Sequence, residues 1–125
     1  MARDAVTSDD LSAPDLPFSM AVRGGGLLFF SGQVATDPAT GELIGGDITQ
    51  QTEQVLRNLA AALAAAGQEL GDVVRVGVYL TDMSQFAAMN EVYSRHFTKP
   101  YPARTAIGVA ALPLGAAVEM DAVVG

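Results

Sequence analysis

The chain has 125 residues, of which 50% are hydrophobic and 17% are charged, and these values fit one compact domain with an ample core. Its 14 acidic and 7 scattered basic residues give a formal charge of −7. This charge argues against a nucleic-acid partner, because proteins that bind nucleic acids need a basic stripe to displace counterions from phosphate. The lack of cysteine excludes disulfides, thiol nucleophiles and cysteine metal sites.

The N-terminal segment, residues 1–13, is polar and is predicted to be loosely ordered. It lacks the apolar core of a signal peptide, and no apolar run in the sequence approaches membrane-spanning length. We therefore expect a cytoplasmic protein without a membrane partner, built as a single domain over residues 1–125.

The first predicted element is a β-hairpin. Two apolar segments, Phe18–Val22 and Leu27–Ser31, flank the glycine-rich stretch Arg23–Gly26. Glycine adopts the positive φ angles that tight turns require, so this pattern predicts two strands and a turn. A phosphate-binding loop is disfavoured, because these glycines join two strands and no Lys-Ser/Thr follows them.

An amphipathic helix and a central strand are predicted next. Asp47 and Gln50 form a capping-box pattern at the helix start, and Gly67 stands where a left-handed C-cap belongs. The segment Val73–Leu80 is rich in β-branched residues and predicts a central strand. The helix positions that recur at helical spacing are Thr52, Val55, Leu56, Leu59, Leu63 and Ala66.

A second helix is predicted to begin at Asp82 or Ser84 and to end before Pro100. Its apolar face comprises Phe86, Met89, Val92, Tyr93 and Phe97.

Two final strands are predicted at about Thr105–Ala111 and Ala117–Val124, separated by the turn Pro113–Gly115. In the last strand Glu119 leaves the face opposite to the aliphatic residues, and a solvated outward carboxylate is its simplest interpretation. The order of elements predicts an α+β domain with a mixed sheet of about six strands and two helices on one face.

Arg104 and Glu119 are the candidate chemical pair. An arginine binds a carboxylate through two parallel hydrogen bonds, whereas a glutamate can accept a proton or hold a cation. Because a turn and then the Glu119 strand follow the Arg104 strand, we expect the two side chains to lie close together and to hold a small amino-acid-like molecule. A simple ion pair between strands is the alternative, favoured about two to one on composition alone.

Other catalytic chemistries find less support in the sequence. His96 is the single histidine, and no clustered acidic residues suggest a metal site. His96 falls in the last turn of the second helix, where it can simply complement the helix dipole. Ser31 has no adjacent base, so a positioning hydroxyl is favoured over a nucleophile.

Five separated motifs resemble the Rid family, the reactive intermediate deaminases also called YjgF or L-PSP proteins. The resemblance runs from about Leu16 to the C-terminus. The motifs are Ser31-Gly32-Gln33, Asp37–Glu42, Ala65-Ala66-Gly67, Met89–Tyr93, and the C-terminal run Pro102–Thr105, Leu112–Gly115 and Val118–Met120.

This resemblance implies a chorismate-mutase-like fold and a homotrimer whose sheets form a central barrel, with a cleft at each interface. It also implies a hydrolase similar to 2-iminobutanoate/2-iminopropanoate deaminase, which converts enamines and 2-imino acids to 2-oxo acids and ammonia without a cofactor. Arg104 would anchor the substrate carboxylate, and Glu119 would stabilise the iminium or activate water. The resemblance places backbone groups near Gly32 and Ala106 in the substrate pocket, and Asn90 and Ser31 are weaker supporting candidates. Phe18 is the fifth candidate for substrate binding.

Two positions depart from the family pattern. Phe18 stands where many deaminating members have tyrosine, and Ala106 stands where they often have cysteine. Both changes make the pocket less polar, and Phe18 is predicted either to line the cleft or to lie in the core of the first strand. A trimeric module that binds 2-oxo acids without turnover is the alternative function, and the acidic charge disfavours a ribonuclease.

Overall fold

A computed structural model describes residues 2–6 and 15–125 of the chain. Within these residues the polypeptide forms six strands and two α-helices. The strands are β1 (Asp4–Ala5), β2 (Ala21–Gly24), β3 (Leu27–Gln33), β4 (Val73–Leu80), β5 (Ala103–Gly108) and β6 (Val118–Val124), and the helices are α1 (Ile48–Ala65) and α2 (Phe86–His96).

The strands form one sheet in the order β1-β2-β3-β6-β4-β5. The β4–β5 pair is parallel and the other neighbours are antiparallel, so the sheet is mixed. Both helices pack on the same face, because α1 contacts β3, β6 and α2. The predicted α+β architecture is therefore confirmed.

The core lies between the helices and this face of the sheet. In β6 the side chains alternate, and Val118, Met120, Ala122 and Val124 are buried toward the helices. The buried helix residues that pack against them include Val55, Leu56, Leu59, Leu63, Met89 and Val92.

Helix α1 starts at the predicted capping box. The Asp47 Oδ1 atom accepts a hydrogen bond from the Gln50 backbone N–H at 2.9 Å, and the Gln50 side chain accepts one from the Asp47 N–H at 3.0 Å. These bonds satisfy backbone donors that have no partner in the first helical turn. Gly67 follows the helix at a φ of 76°, in the left-handed region predicted for it.

The opposite face of the sheet is not covered by any helix that the structure describes. Phe29, Val74 and Ile107 expose large apolar side chains there, beside the polar residues Glu119 and Asp121. An exposed apolar surface of this kind normally marks an interaction site.

Several boundaries differ from those predicted. The hairpin turns at Gly25 and Gly26, with φ of 60° and 78°, but its first strand begins at Ala21, so Phe18 precedes the strand. The first strand starts late because Leu16-Pro17-Phe18 forms a bend instead of pairing with β3.

The N-terminal tail and the start of α2 also differ from the prediction. Asp4 and Ala5, within the expected loose tail, pair with β2, whereas residues 1 and 7–13 of that tail lie outside the described residues. Asp82 caps a short 3₁₀ turn that leads into α2. No helix in the described part of the chain is long and apolar enough to cross a bilayer.

Candidate active site

Arg104 is held by three side chains of α2. Its Nη1 atom donates a hydrogen bond to Asn90 Oδ1 at 2.7 Å. The guanidinium carbon lies 4.8 Å from the centre of the Tyr93 ring and 5.5 Å from that of the Phe86 ring. These cation–π contacts and the Asn90 bond fix the guanidinium. Its other N–H groups have no partner among residues 2–6 and 15–125, so they are available to a ligand.

A cavity of about 380 Å³ opens beside the Arg104 guanidinium. Its remaining lining residues are Asn90, Tyr93, Ser94, Tyr101 and Pro102. Ala106 lies two residues farther along β5, on the same face and partly buried. The volume and the free donors suit a small molecule that carries a carboxylate.

Phe86 and Tyr93 were predicted only as apolar positions of α2. The signal that could have revealed their role is spacing, because Phe86, Asn90 and Tyr93 are separated by four and three residues and so share one helix face. The Tyr93 hydroxyl is buried without a hydrogen-bond partner in the described structure, and burial raises its pKa, opposed in part by the charge of Arg104.

Glu119 lies on the other face of the sheet, beside a second cavity of about 450 Å³. A Cβ atom at position 32 would overlap Glu119 Oε2, so the carboxylate can occupy this position because residue 32 is glycine. Apart from Glu119 and Ser31, the cavity is lined by Leu16, Phe18, Gly32, Val34 and Pro113. The carboxylate therefore lies at the edge of a mostly apolar pocket.

The pKa of Glu119 is raised above its ordinary value. Burial against this apolar lining is the main cause, and the negative charge of Asp121 adds to it. A carboxylate with a raised pKa is a better proton acceptor, so this group differs from the solvated surface carboxylate that was its simplest interpretation.

The expected proximity of Arg104 and Glu119 within one chain is wrong. Strand β4 lies between their strands, with Val76 opposite Arg104 and Tyr79 opposite Glu119. Val76 and Tyr79 are three positions apart on β4, and because side chains alternate along a strand they point to opposite faces. The same geometry excludes the alternative of an ion pair between the two residues in one chain.

The linker between the last two strands explains the error. Strand β5 runs parallel to β4 along one edge, and the chain then passes the end of β4 to pair β6 with its other edge. Leu80, at that end of β4, pairs with both Gly108 and Val118. The last two strands are consecutive in the sequence but are not neighbours in the sheet.

The remaining candidate residues divide between the two faces. Asn90 and Ala106 accompany Arg104, whereas Phe18, Ser31 and Gly32 accompany Glu119. The Ser31 hydroxyl donates a hydrogen bond to the Ser19 carbonyl at 2.6 Å, which fits a structural or positioning role.

Phe18 and His96 are placed clearly by the structure. Phe18 is 47% exposed on the wall of the Glu119 cavity. Of its two interpretations, the one that put Phe18 in the core of the first strand is therefore wrong. His96 pairs with Glu53 of α1 and lines neither the Arg104 cavity nor the Glu119 cavity. Within the described residues, no group of three or more His, Asp or Glu side chains could hold a metal ion.

The chain resembles proteins of known sequence and structure over nearly its whole length. A RutC family protein of Pyrococcus horikoshii is 45% identical over 121 residues, which cover 97% of this chain and 96% of that protein. The 2-iminobutanoate/2-iminopropanoate deaminase of Mus musculus is 39% identical over 121 residues, covering 97% and 90%. The crystal structure of E. coli TdcF with bound serine has a TM-score of 0.85 and 32% identity, covering 97% of each chain.

A sequence model of the Endoribonuclease L-PSP family matches residues 10–125. This chain therefore belongs to the Endoribonuclease L-PSP family, which is the Rid family that its motifs resemble.

Proposed function

We propose that this protein hydrolyses 2-imino acids to 2-oxo acids and ammonia, in clefts between the subunits of a homotrimer. The observation that carries the proposal is that Arg104 and Glu119 lie beside separate cavities on opposite faces of the sheet, so that each cavity holds half of a complementary site. The Arg104 half offers a fixed cation, and the Glu119 half offers a partly buried carboxylate. The mouse relative is named for this reaction, and the E. coli relative was solved with an amino acid bound.

A cyclic assembly would join the two halves. In such an assembly each subunit presents one surface to its neighbour and receives a different one, so Arg104 of one subunit can meet Glu119 of the next. The uncovered sheet face supplies apolar area for this contact through Phe29, Val74 and Ile107. The family resemblance implies three subunits.

The chemistry follows from the two groups. Arg104, oriented by Asn90, binds the substrate carboxylate and thereby places the adjacent C=N carbon. Glu119 accepts a proton from a water molecule as the water oxygen bonds to that carbon, and the C=N electron pair moves to nitrogen. Glu119 returns that proton to the nitrogen, which gives a carbinolamine. It then carries the hydroxyl proton to the amino group as the C–N bond breaks, which releases ammonia and leaves the 2-oxo acid. Water is the sole co-reactant in this scheme.

The test is an assay of imine lifetime. An amino acid oxidase generates 2-imino acids from a panel of amino acids, and semicarbazide traps the imine that has not been hydrolysed. We expect the protein to lower the trapped fraction and to speed ammonia release, while Arg104→Lys does neither. Binding of 2-oxo acids without faster ammonia release on any imine would contradict the proposal and support a binding module.

A further inference from the structure

A second carboxylate, Asp121, lies two residues after Glu119 on the same face of β6. Its Oδ1 atom accepts a hydrogen bond from the Gly77 backbone N–H, and its Oδ2 atom accepts one from the Tyr79 hydroxyl, both at 3.0 Å. Successive residues in a strand rise by roughly 3.4 Å, so the Glu119 and Asp121 side chains start about 7 Å apart.

Gly77 makes room for this carboxylate. A Cβ atom at position 77 would overlap Asp121 Oδ1 and would lie 2.8 Å from the Tyr79 hydroxyl oxygen. Any larger residue would therefore require Asp121 to shift from this position. Glycine is otherwise unfavourable within a central strand, so its presence here points to a requirement for this close approach.

Asp121 also takes a polar partner that Glu119 could otherwise have. Tyr79 stands directly opposite Glu119 in the β4–β6 register, yet its hydroxyl donates to Asp121. Arg75 Nη1 lies 4.0 Å from Asp121 Oδ1. Within the described residues, Glu119 receives no side-chain hydrogen bond and no ion pair, so its oxygens are open to a ligand.

We infer that Asp121 is a positioning residue for the deamination. Asp121 binds Tyr79 and Arg75 and so leaves the neighbouring Glu119 carboxylate open and basic. This inference rests on the proposed role of Glu119 as the proton acceptor. Two carboxylates in one partly buried place oppose each other's ionisation, and a more basic carboxylate takes a proton from water more readily. The groups that face Glu119 from the described elements are Tyr79 on β4, Asp121 on β6 and Ser31 on β3, beside the uncharged cavity lining. Arg75 lies farther along β4, opposite Val123 and against Asp121.

The direct test is a ¹³C NMR titration of the glutamate carboxyl groups in the full chain, with the Glu119 signal assigned from Glu119→Gln. Asp121→Asn preserves the shape of the side chain and removes its charge. We expect this variant to lower the titration midpoint of Glu119 by about half a pH unit, the effect of one charge acting over about 7 Å in water. Equal midpoints in the wild type and in Asp121→Asn would overturn the inference.

Glu42→Gln is the matched control. Glu42 is exposed in a loop, and its substitution changes the net charge by the same amount. We expect it to leave the midpoint of Glu119 unchanged. An equal shift in Glu42→Gln would show a general effect of net charge and would also overturn the inference.

The pH dependence of kcat/KM gives a second reading. The acidic limb should move to lower pH in Asp121→Asn by the same shift as the midpoint, whereas a purely structural role would lower activity at every pH alike. A wild-type protein without deaminase activity would overturn the proposed function even if the NMR midpoints shifted. An active enzyme with unshifted midpoints would overturn only the role of Asp121.

Discussion

Arg104 and Glu119 lie on opposite faces of one β-sheet, with β4 between their strands. Arg104 contacts α2, and Glu119 faces the uncovered side beside Gly32. No rotation of either side chain can bring the two groups together through the sheet. A site that uses both must draw them from different subunits, and the predictions below follow from that arrangement.

Arg104→Lys should lower kcat/KM for 2-imino acids by about 100-fold, because lysine cannot donate two parallel hydrogen bonds to a carboxylate. Steady-state kinetics on imines generated in situ will measure this loss. Arg95→Lys is the control, since Arg95 lies on the same helix as Asn90 and pairs with Glu91 on the surface. Equal activity of the folded Arg104→Lys protein and the wild type would remove Arg104 as the anchor.

Glu119→Gln should lower kcat by about 100-fold or more, because the proton acceptor is lost while the shape of the side chain is kept.

The same substitution should raise the free energy of unfolding at neutral pH. Folding raises the pKa of Glu119 above its ordinary value of 4.5. The contribution of Glu119 to stability is therefore complete below pH 4.5 and is lost as the pH rises through the pKa that the group has in the folded protein. Chemical denaturation at pH 4 and pH 7 should show the gain at pH 7 alone.

Gly32→Ala should displace the Glu119 carboxylate, since the added methyl group would occupy the position of Oε2. We expect kcat to fall while the secondary structure, followed by circular dichroism, is retained. Gly45→Ala is the matched control, because a Cβ atom there meets nothing within 4 Å. If both variants kept wild-type kcat, Glu119 would not need its present position.

Phe18→Tyr should change the relative kcat/KM among imines with little change in stability. Phe18 is exposed on the cavity wall, so the new hydroxyl can remain hydrated. The phenyl ring favours imines with aliphatic or aromatic side chains, and tyrosine should improve the use of small polar ones. A variant with an unaltered substrate profile would remove Phe18 from the site.

The local elements were predictable from the sequence because their signals are local. The bounds of β4 and the capping box of α1 agree with the structure, since β-branched runs and Asp-x-x-Gln patterns act over a few residues. The alternation that placed Glu119 on the face opposite to Met120 is also confirmed, because it depends only on the strand period.

The arrangement of the strands was not predictable in the same way. Nothing in the sequence around Arg104 indicates that β5 pairs with β4 and not with β6, because that choice depends on how the chain crosses the sheet. The contacts of Asp121 with Gly77 and Tyr79 join residues 44 and 42 positions apart, beyond the reach of any local pattern. The sequence therefore named the candidate residues, but their division between two faces required the structure.

Subunit mixing tests the central claim most directly. Arg104→Ala and Glu119→Gln should each be nearly inactive alone, because every cleft then lacks one of its two groups. In a cyclic trimer that takes Arg104 and Glu119 from adjacent subunits, refolding the two variants together in equal amounts should restore about one quarter of the wild-type activity. A mixture that forms mixed trimers, as judged by mass spectrometry, and yet stays as inactive as its parents would contradict a site shared between subunits.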